Sequence, residues 1–524
     1  MKTKQINFLI ILLLLCTCCD RPVERMVPPM YEMVLDDSRV ILQGFYWESY
    51  RHGHTVQFPE ITSGQANIDL YWYEIVKEKA PEIKSGRFDI IWLPPPSNSG
   101  GGAGYSPTEL YRLTNMYGDS LMHRVLLEAL WQNGIEPIAD IVLNHRNGSG
   151  SWAGFQHPKW DTRSICRSDE AFTNAGSEVN GTPVELRGNE EEKVDYDLHR
   201  ERTYAYPAFR DIDHTNEQVN RDVVNYLLML KTFGYRGWRY DMVHGYHASH
   251  IRYYNSITKP SFSVGEYDWD KQDAQRGWIW ESSFSAQEDQ QEHFRNASAV
   301  FDFSTYFVLK DNIGSGSGVH TDYSGLYNEN KGPGLLGDNT DGIAWKQKSV
   351  TFLENHDTGW RTNEDGSTQE HHEFDSFENN RQVEQGYAYI LTHPGIPCVF
   401  WKHYFDWGEE LQEKIKALIH CRKLCGVHSG SSYHIQQNAA EAGVYAAMVE
   451  GTQGKLCVRI GGNDDQWKPS ASGYQDFTEY LTGEDWKVWI TLNNHEVDDP
   501  FDEYPLNNSL GELPRPIAAE KIPF

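Results

Sequence analysis

Cysteine, positive charge and long apolar runs are all scarce in this 524-residue chain, and each shortage excludes something. Of the eight cysteines, three lie within the first 19 residues, which leaves Cys166, Cys398, Cys421, Cys425 and Cys457. An odd number spread over so long a chain gives no disulfide framework. Cys421 and Cys425 fall on one face of an expected helix, but no His or Cys at zinc spacing accompanies them, so a buried, inert pair is expected. Lys and Arg number 47 against 75 Asp and Glu, a formal charge of −28. That balance lacks the cationic surplus phosphate backbones require, so nucleic acid is excluded and a neutral or cationic ligand fits better. Beyond the N-terminus no second apolar stretch is long enough to span a bilayer, and there is neither a fixed-period repeat nor a coiled-coil heptad.

Residues 1–19 read as a targeting segment. Lys2 and Lys4 precede the apolar run 8–15, and Cys16-Thr17-Cys18-Cys19-Asp20 follows. A basic start with a short apolar stretch reads as a secretory signal rather than a membrane span. The cysteines directly after the leucines resemble a bacterial lipoprotein cleavage site, with Cys18 favoured for the lipid and Cys19 the alternative. The expectation is a chain held at the bacterial cell envelope, on the outer membrane or cell surface, by an N-terminal lipid alone, and otherwise secreted. Pro22, Pro28 and Pro29 mark a tether over 20–37.

The middle of the chain alternates short apolar runs with longer amphipathic stretches. Eight runs stand out: 40–45, 88–93, 137–143, 237–243, 262–266, 300–303, 350–353 and 397–401. Each is nearly continuous in hydrophobicity, as strands covered on both faces should be. Helical patterns at 121–133, 219–233 and 381–391 lie between runs, and 411–424 follows the last; Gly134, Gly234 and Gly426 sit just past helix ends, where a C-cap belongs. This alternation predicts an α/β fold, a (β/α)8 TIM barrel formed by 38–145 and 213–427. Residues 146–212 are too long for a plain connection and predict an irregular inserted domain after strand 3. Runs at 433–436, 443–449, 455–460 and 486–492 predict an antiparallel β domain over 428–495, and the proline-rich 496–524 is a tail. Trp and Tyr are plentiful, at 17 and 29; most belong in the core, but flat rings also suit sugar faces.

Chemistry in such a barrel sits at the C-terminal ends of its strands. Four of the expected strands end in polar clusters: Asp140-Ile-Val-Leu-Asn-His, Gly237-Trp-Arg-Tyr-Asp, Val264-Gly-Glu and Glu354-Asn-His-Asp. Asp241, Glu266, Asp357, His145, His356, Asn144 and Arg239 would therefore meet on one rim. Any one of these acids alone could be a structural ion-pair partner; acids on three strands of one barrel suit glycosidic bond cleavage, one as nucleophile and one as proton donor. The glycines at 100–104 lack a following Lys-Ser/Thr, so a loop carrying Tyr105 is expected there rather than a phosphate cradle.

These segments resemble the signature regions of the α-amylase family, glycoside hydrolase family 13, and its plant-type members in particular. Gln43-Gly-Phe-Tyr-Trp-Glu-Ser, Ile91-Trp-Leu-Pro-Pro, Asp140-Ile-Val-Leu-Asn-His-Arg, Asp211-Ile-Asp-His, Gly386-Tyr-Ala-Tyr-Ile-Leu-Thr-His-Pro-Gly and Phe405-Asp-Trp-Gly carry the likeness, in the family's order. The resemblance implies that Asp241 is the nucleophile, kept ionised by Arg239. It implies that Glu266 is the general acid/base, protonated at working pH through a raised pKa, and that Asp357 stabilises the oxocarbenium-like transition state. It places His145, His356 and Tyr105 on the sugar being cleaved, and His244 beside the product-side subsites, where plant-type enzymes carry Lys. Ser106 stands where they carry Met. A calcium ion is also implied, held by Asn144, Asp211 and the backbone oxygen of Gly245, with Asp195 or Asp197 as a further ligand. The expected activity is retaining endo-hydrolysis of α-1,4 bonds in starch, glycogen and maltooligosaccharides by a monomer. The alternatives are a transglycosylase, an exo-acting maltogenic relative, or a non-catalytic glucan-binding barrel.

Overall fold

A computed structural model describes residues 30–55, 57, 69–148, 154–169, 178–179, 182–183, 187–189, 209–267, 272–314, 323–328, 331–337, 342–358, 361–362, 368–369, 377, 379–462, 467–473 and 475–493. The eight apolar runs form eight parallel strands: β1 (Ile41–Gln43), β2 (Ile90–Leu93), β3 (Glu136–Ile141), β4 (Gly237–Tyr240), β5 (Ser263–Gly265), β6 (Ala299–Phe301), β7 (Ser349–Thr351) and β8 (Ile396–Phe400). They close into a barrel in which each strand pairs with its sequence neighbours and β8 returns to β1, Ile41 lying opposite both Ile90 and Cys398. The expected barrel is thus the observed one. The strands stop one to three residues before most of the apolar runs do, because residues such as Leu143, Val243 and Leu353 stay buried in the rim after strand pairing ends.

A helix follows every strand: α1 (Trp72–Ser85), α2 (Ser120–Gln132), α3 (Glu217–Phe233), α4 (Ala248–Thr258), α5 (Gln272–Glu281), α6 (Phe303–Asn312), α7 (Asn380–Thr392) and α8 (Glu409–Cys425). Their starts are written in the sequence. Asp119 accepts the N–H groups of Leu121 and Met122, and Asn216 those of Gln218 and Val219, satisfying donors that a helix start leaves open. Gly426 ends α8 at φ +69°, where any side chain would be strained.

In the inserted region a two-residue ribbon, His145–Arg146 against Arg210–Asp211, joins the segment after β3 to the segment before α3. Asp195 and Asp197 lie outside the described residues, as do 1–29 and 494–524. Of the tether expected over 20–37, residues 31–37 pack against the barrel floor instead of hanging free. The N–H of Tyr31 donates to the Lys259 carbonyl at 3.1 Å, Met33 and Asp37 are buried, and Asp37 and Ser429 exchange hydrogen bonds.

The C-terminal domain holds five antiparallel strands rather than the four expected: β9 (Ser432–Ile435), β10 (Tyr445–Glu450), β11 (Gly454–Ile460), β12 (Thr478–Gly483) and β13 (Trp486–Leu492), in the order β9-β10-β11-β13-β12. The additional one, β12, is an exposed edge whose sequence lacks the apolar alternation of a half-buried strand. One face of the sheet, with Tyr445, Val458 and Val488, joins the main core; the other packs Trp467 and Trp489 into a small second core. All five described cysteines are buried, and none is joined to another by a disulfide. No helix among the described residues is long and apolar enough to cross a membrane.

Candidate active site

Parallel strand pairing sets Arg239 on β4 directly beside Asp140 on β3. Residues 239 and 241 point the same way along the chain, so Arg239 also faces Asp241. Its buried guanidinium contacts three carboxylates: Asp140 at 2.8 Å, Asp241 at 2.7 Å and Glu266 at 2.7 Å. The barrel ladder continues past the strands to hold the acids: Asp241 N–H donates to the Ile141 carbonyl at 3.0 Å, and Glu266 N–H to the Tyr240 carbonyl at 2.9 Å. The second Glu266 oxygen accepts the Met242 N–H at 3.0 Å.

Asp140 accepts from Arg239, from the Tyr105 hydroxyl at 2.7 Å and from the Trp92 indole at 3.1 Å. Asp241 accepts from Arg239 on Oδ1, while its buried Oδ2 has no hydrogen-bond partner among the described residues. Burial raises the pKa of Asp241 well above the ordinary carboxylate value; Arg239 opposes the shift, and the charges of Glu266 and Asp140 add to it. Asp140 is raised too, by burial, against the pull of Arg239, Tyr105 and Trp92. Three buried carboxylates around one cation leave excess negative charge, so protons in this cluster are shared rather than owned.

Asp357 lies on the rim segment that follows β7, with its side chain 40% exposed. His356 Nε2 lies 3.0 Å from its Oδ2, and the Gln43 amide lies 3.0 Å from His356 Nδ1. With the amide donating to Nδ1, the imidazole proton is left on Nε2, facing the carboxylate. Tyr105 stacks on His356 at 5.0 Å between centroids, and Trp47 lies parallel to Tyr105 at 5.8 Å. Together they make an aromatic wall beside the acids.

His145 Nε2 lies 2.8 Å from the Tyr105 carbonyl, so the ring anchors the strip that carries Tyr105. Burial lowers its pKa to about 4, so it is neutral at ordinary pH. That strip is a short hairpin, Asn98–Ser99 against Pro107–Glu109, with Gly100, Gly101, Gly102 and Gly104 in its turn, and Ser106 is buried beside Ser99. His244 lies in the 3-10 turn after β4, buried and edge-on to Tyr267.

The three residues expected around calcium also converge. A Cβ on Gly245 would fall 1.8 Å from Asn144 Oδ1, so only glycine allows this approach. Asp211 is brought alongside by its pairing with His145 and by Ile212 N–H donating to the Asn144 carbonyl at 3.1 Å. No group of three or more His, Cys, Asp or Glu side chains is gathered for a metal among the described residues. The donors present are an amide, a backbone carbonyl and one carboxylate, all hard oxygens of the kind calcium prefers.

Four residues of this rim drew no role from the sequence: Asp140, Gln43, Trp47 and Trp92. All stand inside motifs quoted above, yet Asp140 and Gln43 are polar groups within apolar runs, which leave no periodic signal, and a tryptophan by itself reads as core.

Residues 75–401 match the family described as "Alpha amylase, catalytic domain", and residues 424–490 match "Alpha-amylase C-terminal beta-sheet domain". The chain is 31% identical over 482 residues to "Probable alpha-amylase 2" of Arabidopsis thaliana, covering 87% of this chain and 95% of that one. It is 28% identical to the "Glucan 1,4-alpha-maltotetraohydrolase" of Stutzerimonas stutzeri over 86% of this chain and 73% of the relative. Among solved structures, an α-amylase from Geobacillus thermoleovorans complexed with acarbose superposes with a TM-score of 0.58. It covers 87% of this chain and 99% of its own, at 14% identity, a likeness of fold.

Proposed function

The chain belongs to the α-amylase family of glycoside hydrolases, and on that premise we propose that it hydrolyses internal α-1,4-glucosidic bonds of starch-type glucans with retention of configuration. The observation that carries this reading is the sharing of one guanidinium by Asp241 and Glu266. Two carboxylates gathered on one buried cation suit a nucleophile and its acid/base partner, the pair of roles a retaining glycosidase needs side by side. Asp241 Oδ2, buried and without a hydrogen-bond partner among the described residues, supplies the attacking lone pair. It forms a bond to the anomeric carbon while Glu266 gives its proton to the departing glycosidic oxygen. Glu266, now a base, takes a proton from water, which attacks the same carbon and releases Asp241. Asp357 and His356 face the positive charge that builds on the ring, and Tyr105 and Trp47 offer it an aromatic wall.

The likeness to a maltotetraohydrolase favours a second reading, exo-acting release of one short oligosaccharide. The reaction is followed by proton NMR on soluble starch and by product chromatography. The α-anomer, a spread of oligosaccharide lengths and an inactive Asp241→Asn variant are expected. A β-anomer refutes retention, a single dominant short product favours the exo reading, and chain-lengthened products favour a transglycosylase.

Asn144, Asp211 and Gly245 would hold a calcium ion, which when bound ties the inserted region to the barrel by its charge. Chelation is expected to lower the melting temperature; an unchanged melting curve sinks the calcium reading. The lipid anchor at Cys18 is tested by palmitate labelling, which Cys18→Ser should abolish unless Cys19 carries the lipid.

A further inference from the structure

Asp357 is supported differently from the other two acids. Asp241 and Glu266 each rest on Arg239, whereas the Asp357 carboxylate meets His356 and is 40% exposed. Its place depends also on the backbone that carries it. Asn355 Oδ1 accepts the N–H of Asp357 at 2.8 Å and of Thr358 at 3.0 Å, and Thr358 Oγ1 accepts the Asn355 N–H at 2.8 Å. This knot fixes the shape of the turn, but not where the turn sits on the barrel.

The second task falls to Glu354, one residue earlier. Its buried carboxylate accepts the Phe377 N–H on Oε1 at 3.2 Å and faces His403 Nε2 across 3.0 Å on Oε2. His403, on the turn Trp401–Phe405 after β8, is fully buried, and its Nδ1 lies 2.9 Å from the Tyr387 hydroxyl on α7. The Tyr387 oxygen in turn accepts the Phe400 N–H at 3.1 Å. The hydroxyl proton is therefore directed to His403 Nδ1, which leaves Nε2–H to donate to Glu354. Gly386 lets α7 come close enough: a Cβ there would fall 2.7 Å from the Leu353 side chain. The segment after β7, the backbone at Phe377, the middle of α7 and the turn after β8 are thus joined by one buried relay.

Such a relay is a poor device for stability, since taking a carboxylate and an imidazole out of water costs about as much as their attraction returns, and packed apolar side chains often serve as well. What it offers over apolar packing is direction. We propose that Glu354, His403 and Tyr387 are positioning residues that hold Asp357 in register with Asp241 and Glu266. None of the three touches the reacting atoms. The inference rests on the roles assigned above to the three acids.

The test compares His403→Leu with His403→Gln, whose amide N–H can still reach Glu354. On maltoheptaose, His403→Leu should lower kcat about 10- to 100-fold, the scale of a misplacement near 1 Å, with KM within about threefold of the wild type. His403→Gln should recover most of the loss. Crystal structures should show Asp357 displaced in His403→Leu while the Arg239 contacts to Asp241 and Glu266 persist. An unchanged kcat in a folded His403→Leu protein, a Gln variant as slow as the Leu variant, or an unmoved Asp357 each overturns the proposal. Should His403→Leu fail to fold, Tyr387→Phe takes its place, with a smaller loss of kcat at constant KM expected and no loss overturning the idea. A wild type inactive on α-glucans would sink the functional reading alone, because the paired structures still decide whether the relay places Asp357.

Discussion

The two ends of the barrel use the same charged residue types to opposite effect. At the floor, Arg39 pairs with Asp37 at 2.7 Å and with Glu136 at 3.0 Å, Arg236 also reaches Glu136, and Lys423 meets Asp89 at 2.6 Å. Three cations there serve three carboxylates. Burial alone would raise the pKa of Asp37, but the charge and hydrogen bonds of Arg39 outweigh it and hold the carboxyl below its ordinary range. At the rim one cation serves Asp140, Asp241 and Glu266, and Asp241 ends above its ordinary range. Balanced charge at the floor stabilises the fold, whereas unbalanced charge at the rim is strain held ready for a substrate whose ring becomes positive.

The largest effect that could break this contrast is on the rate. Asp241→Asn should lower kcat on starch by at least about 10⁴-fold, since loss of a covalent nucleophile removes the reaction path itself. Its thermal melt should hold steady or rise, because the substitution removes a negative charge from a crowded, buried cluster; a clear fall would mean that the rim is stabilising after all. Arg39→Met is the mirror image. It strands Asp37 in the floor and should cost about 3 kcal/mol of stability in a denaturant titration, with kcat unchanged below the melting range. A catalytic loss in that variant would show that floor and rim are coupled.

Smaller, and more diagnostic, is the pH dependence. The depressed pKa of Asp37 gives stability that is present above the ordinary value of 3.8 and is lost as pH falls through its folded value. The raised pKa of Asp241 works the other way: its cost is complete above the folded value and is relieved as pH falls from there towards 3.8. Melting temperature plotted against pH should therefore flatten on the acid side in Arg39→Met. In Asp241→Asn it should gain most at neutral and alkaline pH. Parallel curves for both variants and the wild type would remove the electrostatic distinction between the two ends.

Much of this protein follows from the sequence alone. Eight apolar runs at barrel spacing define the strands, and Asp241, Glu266 and Asp357 are legible because each is an acid at or just beyond the C-terminal part of such a run, where a barrel strand ends. Local pattern also marks the helix caps at Asp119 and Asn216, whose hydrogen bonds span two or three residues. The remainder depends on partners far away in the chain. Asp140 meets Arg239 across 99 residues and Gln43 meets His356 across 313, so neither role leaves a local trace. The packing of 31–37 beneath the barrel, the exposed strand β12 and the Glu354–His403–Tyr387 relay are equally invisible to periodicity. Hydrophobic pattern determines which segments go inside, because burial is a property of each segment by itself. Which buried polar groups then face one another, and how many carboxylates share one cation, is decided only when the barrel closes and sets distant strands side by side.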